Sequence, residues 1–167
     1  MASPSKYATL NPGKTQYIYK MDALTEEPDN DPSCEVMLKR KLSGKSSSEG
    51  GALFGDKVIV GLIHKAAGTG SKRHTHPNEQ FSFVLEGALL YEFEDQDCLV
   101  TPGTVIHIPA NVVHSSCATG DGEALFFVCK DVRGGLAGPQ GETETTYSRY
   151  GGSANQGRRR TGAARGP

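Results

Sequence analysis

The chain contains no tryptophan, and its aromatic side chains are six Phe and six Tyr among 167 residues. A hydrophobic content of 36% allows one core of ordinary size with polar ends, so a single domain is expected. Long apolar runs are missing too. No stretch approaches the roughly 20 residues that cross a bilayer as a helix, so no membrane association is expected. The opening MASPSKYATLNPGK has no hydrophobic segment behind its positive charge, so no secretory signal is expected either. An excess of one charge sign is likewise absent. Eighteen Lys and Arg against nineteen Asp and Glu leave a net charge of −1, which gives no global reason to bind nucleic acid. Cysteine is scarce and scattered: Cys34, Cys98, Cys117 and Cys129 form no CxxC pair. Four reduced thiols and a cytoplasmic location are the expectation.

What charge there is lies unevenly. TEEPDND (25–31) is acidic, while GRRRTGAARGP (157–167) carries four arginines. The tail from Gly134 onward is Gly-rich and poor in apolar residues. It cannot bury enough surface to offset the entropy of ordering, and it is expected to be disordered and solvated. Three regions follow. Residues 1–51 form an N-terminal extension, with strands at TQYIYKM (15–21) and CEVMLKRKL (34–42) and a flexible connector at SGKSSSEGG (43–51). Residues 52–133 form the folded body, and residues 134–167 the tail. In the body, KVIVGLIHK, EQFSFVLEG, ALLYEFE, TVIHIPA, NVVHSSCAT and ALFFVCKDV are short strand-like runs about ten residues apart, separated by turn-forming clusters that include DQDC (95–98). No segment has the periodicity of an amphipathic helix. An all-β sandwich or barrel is expected.

Two of only five histidines, His74 and His76, sit two apart in GSKRHTHPNEQFSFVLEG (70–87). On an extended chain, residues two apart face the same side, so the pair can converge on one point. Gln80 shares their parity. Glu79 has the opposite one, although Pro77 bends the chain between them. His114, following IPANVV, is the candidate for a third nitrogen ligand. His64 and His107 lie inside apolar strand patterns and are expected to be packed or surface residues.

These residues resemble the two signature motifs of the cupin superfamily. Gly68, His74, His76, Gln80 and Gly87 fit the spacing of the first, with Gln in place of the usual Glu. Gly103, Pro109 and His114 fit the second, with Asn111 standing for a Gly and Ala118 for an Asn. The resemblance covers about half the chain and implies an antiparallel jelly-roll β-barrel. It also implies one divalent transition metal (Mn, Fe, Ni or Zn) held by His74, His76, Gln80 and His114. The Gln makes the ligand set neutral, which favours Lewis-acid chemistry over oxygen activation. The pattern is similar to small cupins that ketonise unsaturated uronates and to manganese cupins with hydroxynitrile lyase activity. In the uronate enzymes an acid and an Arg on the last strand assist. Arg133 matches that Arg, whereas the acid's position falls near Phe127.

The resemblance therefore implies an isomerase or lyase acting on a small hydroxy or oxo compound. An iron-dependent dioxygenase comes second, and a non-catalytic metabolite-binding cupin third. Tyr91 and Arg133 are the further catalytic candidates. Glu79 is the candidate for orienting a ligand imidazole. A homodimer is expected, with the N-terminal strands pairing across it.

Overall fold

The computed structural model describes residues 17–26, 32–42, 46–93 and 96–136. Among these, nine strands carry the fold: β1 (Glu35–Lys41), β2 (Glu49–Phe54), β3 (Val58–Lys65), β4 (Gln80–Glu86), β5 (Leu89–Phe93), β6 (Gln96–Val100), β7 (Val105–Ile108), β8 (His114–Ala118) and β9 (Ala124–Asp131). They form an antiparallel six-stranded sheet in the order β1-β2-β3-β9-β4-β7 and a three-stranded sheet in the order β6-β5-β8. Residues 69–74 run along β8 and extend the smaller sheet, with bridges Gly70↔Cys117 and His74↔His114. The architecture is the expected jelly roll, and the only helical element among the described residues is a 3-10 turn at Met21–Ala23.

Alternation decides what faces inward. On β9 the buried residues are Ala124, Phe126, Val128 and Lys130, and on β3 they are Ile59, Gly61, Ile63 and Lys65. Gln80, Ser82 and Val84 point inward from β4. With Leu89, Tyr91, Ile106, Ile108 and Ala118 they enclose one core between the sheets. This core is mostly aliphatic, with Tyr91 and Phe126 as its aromatic members, and it is threaded by polar side chains.

Three segments depart from the sequence expectation. Glu49–Phe54, at the end of the expected flexible connector and the start of the body, is the inner strand β2. Its glycines hide the strand signal, but they are what the position requires. A Cβ at Gly50 would lie 2.1 Å from the Leu62 carbonyl oxygen, and one at Gly51 would press on Leu24. Tyr17–Met21, in contrast, is not a strand. This stretch leads into the 3-10 turn, where Leu24 is buried and its carbonyl accepts the Lys39 N–H at 2.7 Å. DQDC is not only a turn, since Gln96–Val100 pairs with β5 as an exposed strand with little apolar patterning. Thr15, Gln16 and the arginine-bearing tail beyond Leu136 lie outside the described residues. All four cysteines are free.

Candidate metal centre

The two histidine segments meet through main-chain hydrogen bonds. His74 N–H donates to the His114 carbonyl at 2.9 Å, and His114 N–H donates back at 3.0 Å. In an antiparallel ladder, residues that exchange both bonds stand directly opposite each other, with their side chains on one face. The contact continues where Asn111 N–H reaches the His76 carbonyl at 2.8 Å. Asn111 has φ 64°, in the left-handed region that Asn tolerates better than most residues. That explains why Asn can stand at a motif position ordinarily filled by Gly. The outcome is a compact cluster of rings. His74 and His114 have centroids 4.4 Å apart, His76 and His114 4.9 Å, and His74 and His76 5.9 Å.

Each ring is held by a carbonyl of its own segment. His74 Nδ1 donates to Lys72 O at 2.7 Å, His76 Nδ1 to Asn78 O at 2.9 Å, and His114 Nδ1 to Val112 O at 2.9 Å. A carbonyl can only accept, so every Nδ1 carries the proton and every Nε2 presents a lone pair. The ligand atoms of the three residues lie within 4.8 Å of one another. His76 Nε2 is fully buried and has no hydrogen-bond partner among the described residues. Burial pushes the His76 pKa down to about 4, with the Lys130 charge as the next cause. Burial also holds His114 well below the usual imidazole range, helped by His74. The imidazoles thus resist protonation, and a buried acceptor with no donor is costly to keep empty.

These residues fit a transition-metal ion. Metal–nitrogen bonds of about 2.0–2.1 Å span at most roughly 4.2 Å between two ligand atoms, so only a small closure of the rings is needed. Imidazole suits several first-row metals. Gln80 opens β4 from its inward side, opposite Lys130 on β9. Its Nε2 donates to Ser82 Oγ at 2.8 Å, which commits the nitrogen and leaves the oxygen as the end of the amide able to coordinate.

The other sequence candidates fall elsewhere. Glu79 does not orient a ligand ring. Its carboxylate accepts from His107 Nε2 at 2.7 Å on the outer face, and main-chain carbonyls do the orienting instead. Arg133 is exposed and bound in fork fashion to Asp131, at 2.9 and 2.7 Å. That pair holds the Asp131 carboxyl well below the ordinary carboxylate range and raises the Arg133 pKa. Phe127 faces outward, and no carboxylate is among the inward residues of β9. Tyr91 is buried, stacks on Phe93 with centroids 5.5 Å apart, and is hydrogen-bonded by Ser82 and Ser116. Burial raises its pKa.

Sequence reasoning missed two buried lysines. Lys130 donates to Leu136 O at 2.8 Å, and burial lowers its pKa to about 8. Lys65 donates to Ser116 Oγ at 2.6 Å and to Ser116 O at 2.9 Å, and burial lowers its pKa to about 7. The signal was available as parity, since both lysines continue the inward phase of an apolar strand.

Two antiparallel sheets around one core, with three imidazoles converging between two strand-linked segments, define a jelly-roll barrel with a candidate metal centre. Residues 61–129 match the cupin domain family. Among solved structures, KdgF from Halomonas sp. aligns over 57% of this chain and 86% of its own, at 16% identity and a TM-score of 0.51. AerE from Microcystis aeruginosa aligns over 56% of this chain and 44% of its own, at 22% identity and a TM-score of 0.52. DMSP lyase DddQ from Ruegeria pomeroyi DSS-3 aligns more loosely, at 25% identity over 54% of this chain and 48% of its own, with a TM-score of 0.45. No curated protein sequence matches the chain. The likeness to KdgF and AerE shows the fold.

Proposed function

We propose that the protein is a metal-dependent cupin enzyme of isomerase or lyase type, acting on a small hydroxy or oxo compound. One observation carries this reading. Three neutral imidazoles, each fixed by a carbonyl at Nδ1, turn their Nε2 atoms towards one another, and the His76 atom is buried without a partner among the described residues. His74, His76, His114 and the Gln80 amide would hold a divalent transition metal, with Mn, Fe, Ni and Zn the candidates. When bound, such an ion supplies Lewis acidity towards a carbonyl or hydroxyl oxygen.

The chain's own residues prepare the site for that role. The carbonyls of Lys72, Asn78 and Val112 pre-set the aim of the rings, so only a small closure is needed on binding. Gln80 contributes no charge, and Ser82 orients its amide. Phe93 stacks near His114, with centroids 6.3 Å apart, and keeps that side of the cluster apolar. Tyr91 acts at one remove, through Ser82. A dimer belongs to the same proposal: β1 is the outer strand of the larger sheet, where a second copy could pair.

The test is metal analysis of the purified full chain, followed by reconstitution of stripped protein with each candidate ion. Proton exchange next to the oxygen-bearing carbon of small hydroxy and oxo compounds is then followed by NMR in deuterated water. Metal-dependent exchange that disappears in His114→Ala supports the proposal. Oxygen consumption that tracks bound iron would replace it with a dioxygenase. Tight compound binding without turnover would replace it with a metabolite-binding role.

A further inference from the structure

Lys130 is the only inward-facing residue of β9 that is not apolar. It is 7% exposed, and its ammonium makes one hydrogen bond among the described residues, to Leu136 O at 2.8 Å. An ammonium carries three N–H donors, so two are left without an acceptor. Burying a charge with unfilled donors is unfavourable, and a hydrocarbon side chain here would avoid that cost. The neighbouring Asp131 does not fill the gap. One of its oxygens takes the Arg133 Nε–H and N–H, and the other takes Arg133 Nη2 and the Glu79 N–H.

The position of Lys130 gives those donors a direction. It stands opposite Gln80 in the β4–β9 ladder, on the same inward face, and its charge acts on both His76 and His114. An ammonium and a metal ion at one end of a small barrel repel each other. An anion that touches both relieves the repulsion and satisfies the open donors.

We infer that Lys130 and the three-imidazole centre form one anion-accepting site, whose ligand carries a carboxylate beside its hydroxyl or oxo group. Arg133, a catalytic candidate from the sequence, is engaged at the surface by Asp131. The inference rests on the metal reading above and narrows its substrate class to small hydroxy or oxo acids.

The experiment uses the full chain, stripped of metal and reconstituted with cobalt(II), whose visible absorption reports changes at the ion. Glycolate is compared with ethylene glycol, which keeps the hydroxyl and lacks the carboxylate. Wild type should bind glycolate at least about tenfold more tightly than ethylene glycol, as charge-assisted hydrogen bonds do over neutral ones. Lys130→Met and Lys130→Gln should lose that preference while binding cobalt at least as tightly as wild type. Lys130→Gln keeps a donor for Leu136 O, and circular dichroism checks that both variants fold. If cobalt binds but wild type shows no preference, or both variants retain it, this inference alone is overturned. If wild type takes up no cobalt, the metal reading falls and the anion site falls with it.

Discussion

Two buried lysines occupy opposite circumstances inside one barrel. At the end of β3, Lys65 gives two hydrogen bonds to Ser116 and lies 5.8 Å from the Phe126 ring centroid. Near the end of β9, Lys130 has a single carbonyl for three donors and shares its region with the His76 and His114 imidazoles, which exclude protons. The first is a charge built into the wall, and the second is a charge awaiting company. A polar line runs between the two regions. Lys65 bonds to Ser116, Ser116 and Ser82 both bond to Tyr91, and Ser82 accepts from Gln80. Polarity in the core therefore does not by itself mark a reactive place. Incomplete pairing does.

The largest effect that tests this contrast is at the imidazoles. His114→Ala should weaken metal binding by about 100-fold or more, because one of the three nitrogen ligands is lost. Competition with a chromophoric chelator measures it. At the other end, Ser116→Ala should cost about 2 kcal/mol in denaturant unfolding by removing one of the two Lys65 acceptors, while Lys65→Met should be close to neutral or stabilising. If Ser116→Ala left stability unchanged, Lys65 would not be the self-contained group described here.

A pH series sharpens the same point. Burial lowers the Lys65 pKa from 10.5 to about 7, so between these values the unfolded chain holds more protons than the folded one. Stability should therefore rise with pH from about 7 towards 9. Lys130, lowered from 10.5 to about 8, adds to the rise from pH 8. Among the groups around Lys65, Cys117 and Tyr91 work in the other direction at higher pH, since burial raises both pKa values and their unfolded forms ionise first. The slope should shrink in Lys65→Met and shrink further when Lys130→Met is added, as read from unfolding midpoints. The smallest effect belongs to Glu79→Gln. Its exposed pair with His107 should be worth about 1 kcal/mol or less, with metal affinity unchanged.

The sequence made the barrel and its three imidazoles legible for a physical reason. Short apolar runs at 57–65 and 124–132, set off by turn-forming clusters, mark strands of the barrel, whereas in 79–87 the apolar Phe81, Phe83 and Leu85 face outward and the polar Gln80 and Ser82 face inward. His74, His76 and His114 were legible through the motif spacing they share with cupins, and the structure pairs their two segments at His74 and His114. Other parts follow rules that alternation does not reveal. The inner strand β2 is masked by glycines that exist because neighbouring backbones come too close for a side chain. Glu79 looked like a partner for a ligand ring because it lies beside Gln80, but odd parity carries it outside to His107. Lys130 was overlooked because a lysine near a strand end reads as solvent-facing until the direction of β9 is known.

The carbonyls of Lys72, Asn78 and Val112 have an evolutionary consequence. They belong to the peptide backbone, so exchanging one amino acid for another cannot delete them while the fold persists. Ring aim is thus handed down with the barrel itself, and new chemistry has to be written in the exchangeable neighbours, Gln80 and Lys130 foremost among them.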